Sequence, residues 1–443
     1  MFAVLSFVNI FNDFYVGYKI QHISKEFDLL RFGDNYIINV EIKNESTEEK
    51  IKKQLARNRY YLHHINKVIH NYCFIVKSKT LYQLNSLGGI EIVPLESLIQ
   101  VLTSQNLIKL DSPDVLFNPS DYLVSPFNST DKFVAGQYFL TGQQEDIKKK
   151  IVENIASSPS SVISLTGGAG TGKTLLTYDI IKSLKGSMKT IVVHCGQLNG
   201  GHHRLVSLGW DIVSIRDFRS YDLTGIDLVV IDETQRIYLS QFYSLVADAA
   251  STNTHCIFSY DRQQTLSASE SRVNIESKIN AITGAHKYRL SDKIRTNKEI
   301  ANFIKALFDN KRNNIAVSNC GNIDFEYFTD SSNVKSYVSL ISSEGWEVLR
   351  LTPSRYNSEH HESYSHISSK NSHRVIGQEF DNVAVVIDEY FSYDSNGRLI
   401  YNSSTYYDSV KMLFQNITRT RKKLKLIIIG NRQILNRCLS VIG

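Results

Sequence analysis

The stretch Ser164-Leu165-Thr166-Gly167-Gly168-Ala169-Gly170-Thr171-Gly172-Lys173-Thr174 constrains this chain more than any other. A β-branched apolar run, Ser161 to Leu165, leads into it, and Leu175-Leu176-Thr177-Tyr178-Asp179-Ile180-Ile181 continues from it with helical spacing. Strand, glycine-rich loop and helix in that order, with the spacing G-x-x-x-x-G-K followed by Thr, make a phosphate-binding loop. The glycines let the backbone fold tightly. Successive N–H groups at Gly167, Gly168, Ala169, Gly170, Thr171 and Gly172, together with the helix N-terminus, can then bind negative charge. Lys173 is placed to reach the β- and γ-phosphates of a nucleoside triphosphate, and Thr174 to hold Mg²⁺.

A second element supports the first. Leu228-Val229-Val230-Ile231-Asp232-Glu233 is a continuous apolar run ending in two acids, as expected for a strand buried on both faces of a parallel sheet. Asp232 would bind Mg²⁺ through water, and Glu233 would activate the attacking water in line with the γ-phosphate.

Composition sets the outer limits. The 443 residues allow two to four domains with ordinary cores. A hydrophobic content of 42% with 21% charged residues describes a soluble globular protein. The net charge of +6 is compatible with a polyanionic partner without establishing one. Cysteines at 73, 195, 256, 320 and 438 form no C-x-x-C pair, which argues against a disulfide framework or a zinc site and for reduced, cytoplasmic thiols. The apolar N-terminus, Met1 to Asp13, carries no early Lys or Arg and reads as a packed helix rather than a signal peptide. No apolar run approaches the ~18 to 20 residues of a membrane span.

Near the N-terminus, Glu26-Phe27-Asp28-Leu29-Leu30-Arg31-Phe32 and Tyr36 to Lys43 are strand-like runs joined by Gly33-Asp34-Asn35, a hairpin. Alternation puts Glu41 and Lys43 on one face, and Asp28 can lie beside them. Metal-dependent phosphodiester cleavage needs such a set, with carboxylates to hold Mg²⁺ and a lysine to orient water and offset charge. An exposed strand edge also carries Glu and Lys for solubility, so the pattern has a bland reading too. Asp28, Glu41 and Lys43 resemble the aspartate and E-x-K of the restriction-endonuclease-like nucleases, some of which place a glutamine and a tyrosine on the following helix. In the helical segment Ser46 to Lys67 the corresponding face carries Gln54, Arg57 and Tyr61, but Asn58 stands four residues after Gln54, where that tyrosine would be.

The remaining motifs resemble those of superfamily 1 helicases. Leu140-Thr141-Gly142-Gln143-Gln144 precedes a helix, and the resemblance assigns adenine recognition to Gln144, with Gln143 in reserve. Asp232-Glu233-Thr234-Gln235-Arg236 is typical of a group that includes Schlafen-type helicase domains. Tyr260-Asp261-Arg262-Gln263-Gln264 resembles the third motif, with Gln264 sensing the γ-phosphate. Tyr288 to Asn297 looks like the fourth, whose arginine would be Arg295. His373 to Val383 resembles the fifth, with Gly377 and Glu379 kept and Ile376 in the usual Gln or Lys position. Gln415 to Arg421 resembles the sixth, and Arg419 would also touch the γ-phosphate.

The expected fold is therefore α/β, two RecA-like parallel-sheet domains preceded by a smaller α/β restriction-endonuclease-like domain. The expected boundaries are 1–110 for the nuclease-like domain, 111–136 for a linker, 137–285 for the first RecA-like domain and 286–443 for the second. The resemblance implies an ATP- and Mg²⁺-dependent nucleic-acid translocase or helicase coupled to a Mg²⁺-dependent nuclease, similar to anti-phage nuclease–helicase proteins, with DNA favoured over RNA as partner. Two alternatives stay open: a remodelling ATPase whose N-terminal domain binds without cleaving, and an ATP-gated nuclease without translocation.

Overall fold

The computed structural model describes residues 12–20, 25–117, 124–220, 222–262, 264–266, 268–291, 298–312 and 321–442. The chain divides into two compact units, residues 1–123 with 135–142, and residues 124–134 with 143–443. The apolar N-terminal segment read as a helix lies outside the described residues as far as Phe11.

The first unit is a six-stranded sheet in simple order. Its strands are β1 (Tyr15–Lys19), β2 (Glu26–Phe32), β3 (Tyr36–Lys43), β4 (Val68–Ile75), β5 (Thr80–Leu84) and β6 (Ile90–Val93). The β2–β3 hairpin forms as its turn residues dictate, with Leu29 opposite Val40 and Phe32 opposite Ile37. Between β3 and its parallel neighbour β4 the chain crosses through α1 (Glu48–His63), capped by the Thr47 side chain. The apolar face of α1 buries Ile51, Leu55, Tyr61 and Leu62 against the sheet. A short helix, α2 (Leu95–Thr103), follows.

The second unit begins with α3 (Thr130–Val134) and α4 (Gly142–Ser157) and then winds an all-parallel sheet. Its strands are β7 (Val162–Gly167), β8 (Thr190–His194), β9 (Ile212–Ser214), β10 (Leu228–Asp232), β11 (His255–Tyr260) and β12 (His286–Leu290), in the order β12-β7-β11-β10-β8-β9. Helices α5 (Lys173–Leu184), α6 (Gly200–Ser207), α7 (Leu239–Thr252), α8 (Ala268–Val273) and α9 (Ile275–Asn280) connect them. The central strand β10 is buried at every position, which explains its unbroken apolar run.

A second lobe follows within the same unit. It contains α10 (Lys298–Phe308), β13 (Ile323–Phe328), α11 (Val334–Ser343), β14 (Glu347–Leu349), β15 (Phe380–Ile387), the hairpin β16 (Phe391–Tyr393) and β17 (Leu399–Tyr401), α12 (Ser409–Ile417), β18 (Thr420–Ile429) and α13 (Arg432–Ile442). Strands β13-β18-β15-β14 form its four-stranded parallel sheet. The fold is thus two RecA-like parallel-sheet lobes preceded by a smaller α/β unit.

Two boundaries differ from the sequence reading. His286–Leu290, expected to open the second lobe, is an edge strand of the first sheet, with Tyr288 opposite Leu165. The expected linker 111–136 is not a spacer. Val124, Phe127 and Phe133 are buried in the second unit. The chain then returns to the first unit, where Phe139 stacks on Tyr61 at 3.6 Å. Prolines, serines and asparagines gave this stretch the composition of a linker, but two buried aromatics, Phe127 and Phe133, decide its place.

That packing yields a stability prediction. A Cβ on Gly201, in the first turn of α6, would overlap the backbone of Phe127. Alanine suits a helix better than glycine by about 1 kcal/mol, so Gly201→Ala would stabilise an open site. The overlap instead predicts a net loss of about 1 to 3 kcal/mol, readable as a lowered midpoint in thermal unfolding of the full chain.

Candidate functional site

The phosphate-binding loop runs from the end of β7 at Gly167 to the start of α5 at Lys173. Gly172 precedes the helix with φ +75°, and a Cβ there would collide with the Gln144 amide, so the position requires glycine twice over. Gln144 is buried and donates from Nε2 to the Thr171 carbonyl at 2.9 Å. It therefore supports the loop from α4. Gln143 instead exchanges hydrogen bonds with Ser291, donating to Oγ and accepting from N, both at 2.9 Å. Lys173 curls over the loop, donating to the carbonyls of Gly167 at 2.6 Å and Gly168 at 3.1 Å, with Asp261 at 3.6 Å.

Opposite the loop, β10 delivers Asp232 and Glu233, both buried. Glu233 adopts φ +58°, a left-handed backbone unusual for a residue with a side chain and typical of sites held by their surroundings. The constraint is visible. Gln235 donates from Nε2 to Glu233 Oε2 at 2.6 Å, and its Oε1 accepts from the Asp261 backbone at 3.2 Å. Arg236 Nε lies 3.5 Å from the same carboxylate. Burial pushes the Glu233 carboxyl up, but Arg236, Lys173, His194 and Arg419 outweigh it and hold the group below the ordinary carboxylate range. Glu233 is thus a buried carboxylate, ionised at neutral pH. Thr174, in the first turn of α5, and Asp232 are the hard oxygen donors that would hold Mg²⁺.

The second lobe reaches this pocket through Arg419, which is 2% exposed. Its guanidinium donates to the Gln415 carbonyl at 3.2 Å, the Gln378 carbonyl at 3.4 Å and Gln264 Oε1 at 3.2 Å. Gln264 belongs to the first lobe, and its carbonyl also accepts from Arg236 at 3.1 Å. Gln264 and Arg419, each assigned to the γ-phosphate by the sequence resemblance, meet one another across the lobes. Glu379 is positioned by its backbone N–H, which donates to Asn128 Oδ1 at 3.0 Å. Arg295 lies outside the described residues.

In the first unit, Asp28, Glu41 and Lys43 converge as alternation predicts. Lys43 Nζ lies 4.0 Å from Asp28 and 3.8 Å from Glu41, and Asp28 Oδ2 accepts from the Ile42 backbone at 2.8 Å. Sequence reasoning missed how Glu41 is held. Asn58, treated as a departure from the nuclease pattern, donates to Glu41 Oε1 at 2.7 Å, and Gln54 donates to Oε2. Lys25 also approaches Oε1 at 3.5 Å; burial lowers its pKa while Glu41 opposes the shift. Gln54 and Asn58 stand four apart on one helix face, the signal that could have found the pair. Among the described residues no group of three or more His, Cys, Asp or Glu forms a metal cluster. The two carboxylates suit one Mg²⁺ that keeps most of its ligands as water and phosphate oxygen.

Among the described residues Cys73, Cys195, Cys256 and Cys438 are free and buried, and no helix is long and apolar enough to cross a membrane.

Fold and pocket together define a two-lobed P-loop ATPase core. Residues 142–324 match a family described as the AAA domain. No curated protein matches the sequence. Among solved structures, the chain is similar to Pif1 helicases described as unwinding forked double-stranded DNA, at 12% identity over 66% of this chain and 92% of that one, with a TM-score of 0.37. A Pif1 helicase from Bacteroides in complex with ADP-AlF3 and single-stranded DNA matches at 11% identity over 63% and 91%, TM-score 0.36. Pif1 helicase from Candida albicans matches at 12% identity over 67% and 97%, TM-score 0.36.

Proposed function

We propose that this chain is an ATP-driven translocase of the superfamily 1 helicase type acting on nucleic acid, DNA ahead of RNA, and that its first unit carries a Mg²⁺-dependent nuclease site. The observation that carries the motor reading is Arg419 of the second lobe bonded to Gln264 of the first, beside Glu233. ATP with Mg²⁺ supplies the scissile phosphoanhydride and its charge neutralisation. Lys173 and the loop N–H groups bind the phosphates, Thr174 and Asp232 hold the metal, and Glu233 orients water. The adenine-reading role of Gln144 and the γ-phosphate role of Arg295 belong to the same proposal. Arg419 and Gln264 make lobe closure depend on the γ-phosphate, so hydrolysis releases the lobes and can move a gripped strand. A place in anti-phage defence rests on the resemblance to nuclease–helicase proteins.

In the nuclease reading, Asp28 and Glu41 hold the metal and Lys43 orients the attacking water. One observation favours a second reading, a binding module that does not cleave. Both oxygens of Glu41 are already taken by protein donors, Asn58 and Lys25 on one and Gln54 on the other. A substrate panel decides. Mg²⁺-dependent cleavage and ATPase stimulation are measured on single- and double-stranded DNA and RNA, with Lys43→Ala and Lys173→Ala beside wild type. The nuclease reading expects Lys43→Ala to lose cleavage by at least about 10²-fold with ATPase unchanged. Wild type that cuts none of the four substrates leaves the binding-module reading standing.

A further inference from the structure

Phe127, in the strap Val124–Val134, touches both lobes at once. On the first lobe its backbone lies against Gly201, where a Cβ would overlap it. Its ring stacks on His202 at 3.9 Å and stands edge-on to Tyr178 at 5.0 Å. On the second lobe a Cβ on Gly377 would enter that ring. Ser125 Oγ donates to the Gly377 carbonyl at 3.1 Å, and Asn128 Oδ1 accepts from the Glu379 backbone at 3.0 Å. Any change in the angle between the lobes must therefore move this ring against at least one of them.

From Phe127 the contacts run directly to the ATP pocket. The His202 ring lies 4.4 Å from that of His194, and His194 Nδ1 lies 3.3 Å from Asp232 Oδ2. Both histidines are fully buried. Their partners determine their tautomers. His202 Nδ1 accepts from the Asn199 backbone at 3.1 Å, so its proton sits on Nε2. Burial, with His194 and His203 beside it, holds His202 far below the ordinary imidazole range and keeps it neutral. His194 donates from Nδ1 to the Asp232 carboxylate. Neither Nε2 has a hydrogen-bond partner among the described residues. A half-satisfied buried imidazole is a poor core filler compared with leucine. What His194 supplies in return is a fixed donor to one oxygen of Asp232.

We propose that His194 is the positioning residue of Asp232 and that Phe127, acting through His202, sets His194, so that the seating of the strap governs ATP turnover. This rests on the reading of Asp232 as a Mg²⁺ residue of a hydrolysing site. The chain enters the strap from the first unit and returns to it.

The test uses the full chain. ATP turnover is titrated with Mg²⁺, and nucleotide binding is measured separately in EDTA. His194→Phe keeps a ring and removes the donor. It should lower kcat and raise the half-saturating Mg²⁺ concentration, each by about tenfold, the scale of losing a group that orients a metal ligand. Binding in EDTA should not change. His194→Asn, whose amide nitrogen takes the place of Nδ1, should recover most of both, and Phe127→Ala should shift Mg²⁺ half-saturation in the same direction as His194→Phe. A merely structural role would lower thermal stability while leaving half-saturation alone; that result, or no recovery with Asn, overturns the proposal. If His194→Phe does not fold, Phe127→Leu carries the same readout, and an unshifted half-saturation again overturns it. Wild type that neither binds nucleotide nor hydrolyses ATP sinks the functional reading and this inference together. An active wild type with unshifted variants sinks this inference alone.

Discussion

Glu233→Gln is expected to lower ATP turnover by about 10² to 10⁴-fold, the range for losing a positioned general base, while nucleotide binding stays near wild type. The substitution keeps side-chain volume and an oxygen for Gln235 Nε2 to donate to, now 2.6 Å away. It removes the negative charge that Arg236 faces at 3.5 Å, although Glu270 remains 3.6 Å from that arginine. Some stability is lost with the charge, because a buried guanidinium is left with one carboxylate partner instead of two. The low pKa of Glu233 sharpens the expectation. A buried carboxylate held ionised by Arg236, Lys173 and Arg419 is a weak base, so in the proposed mechanism it acts mainly by orienting water, and an amide would orient it with the wrong polarity. Single-turnover hydrolysis alongside binding of a nonhydrolysable analogue separates the two effects. Turnover within about tenfold of wild type would place the water-activating group elsewhere.

How much of this pocket could be read beforehand depended on how local its causes are. The phosphate loop was legible because glycine spacing, lysine and threonine are all required within one stretch of chain. Strand β10 was legible because burial on both faces removes polar residues along its whole length. The hairpin that brings Asp28 to Glu41 and Lys43 was legible from its turn. What escaped is set by distant neighbours. His286–Leu290 alternates like any strand, and nothing within it says that its partner is β7 rather than a strand of the second lobe. Asn58 had the right helical spacing from Gln54, but its target lies on another element. Phe127 sits among proline, serine and asparagine, and local composition does not report that its ring meets His202, 75 residues later in the chain. His194 closes β8 as an ordinary polar strand end. Its role is visible only once β8 pairs with β10 and places His194 beside Asp232 in register.

Arg419→Ala is expected to reduce ATP turnover by about 10³-fold or more, on the scale of an arginine that stabilises phosphoryl transfer from across a cleft. The geometry makes a further demand. Arg419 donates to Gln264 Oε1 at 3.2 Å while two backbone carbonyls of its own lobe hold the rest of the guanidinium. To meet a γ-phosphate it must exchange the glutamine for the phosphate, keeping the anchoring bonds to Gln415 and Gln378. Binding should therefore discriminate: affinity for an ATP analogue falls in Arg419→Ala, whereas affinity for ADP does not, because only the γ-phosphate competes for that bond. Lysine cannot rescue. It offers one rotatable ammonium where three acceptors are arranged for a planar fork, so Arg419→Lys should remain within about tenfold of the alanine variant. Stability and activity separate in one comparison. Alanine leaves a large cavity in a site that is 2% exposed, whereas Arg419→Met fills much of it without a charge to satisfy, and should unfold at a higher temperature than Arg419→Ala while being no more active. Equal losses of ATP and ADP affinity in Arg419→Ala would show the arginine to be a structural bolt between the lobes, and Gln264 its receptor rather than a partner in sensing phosphate.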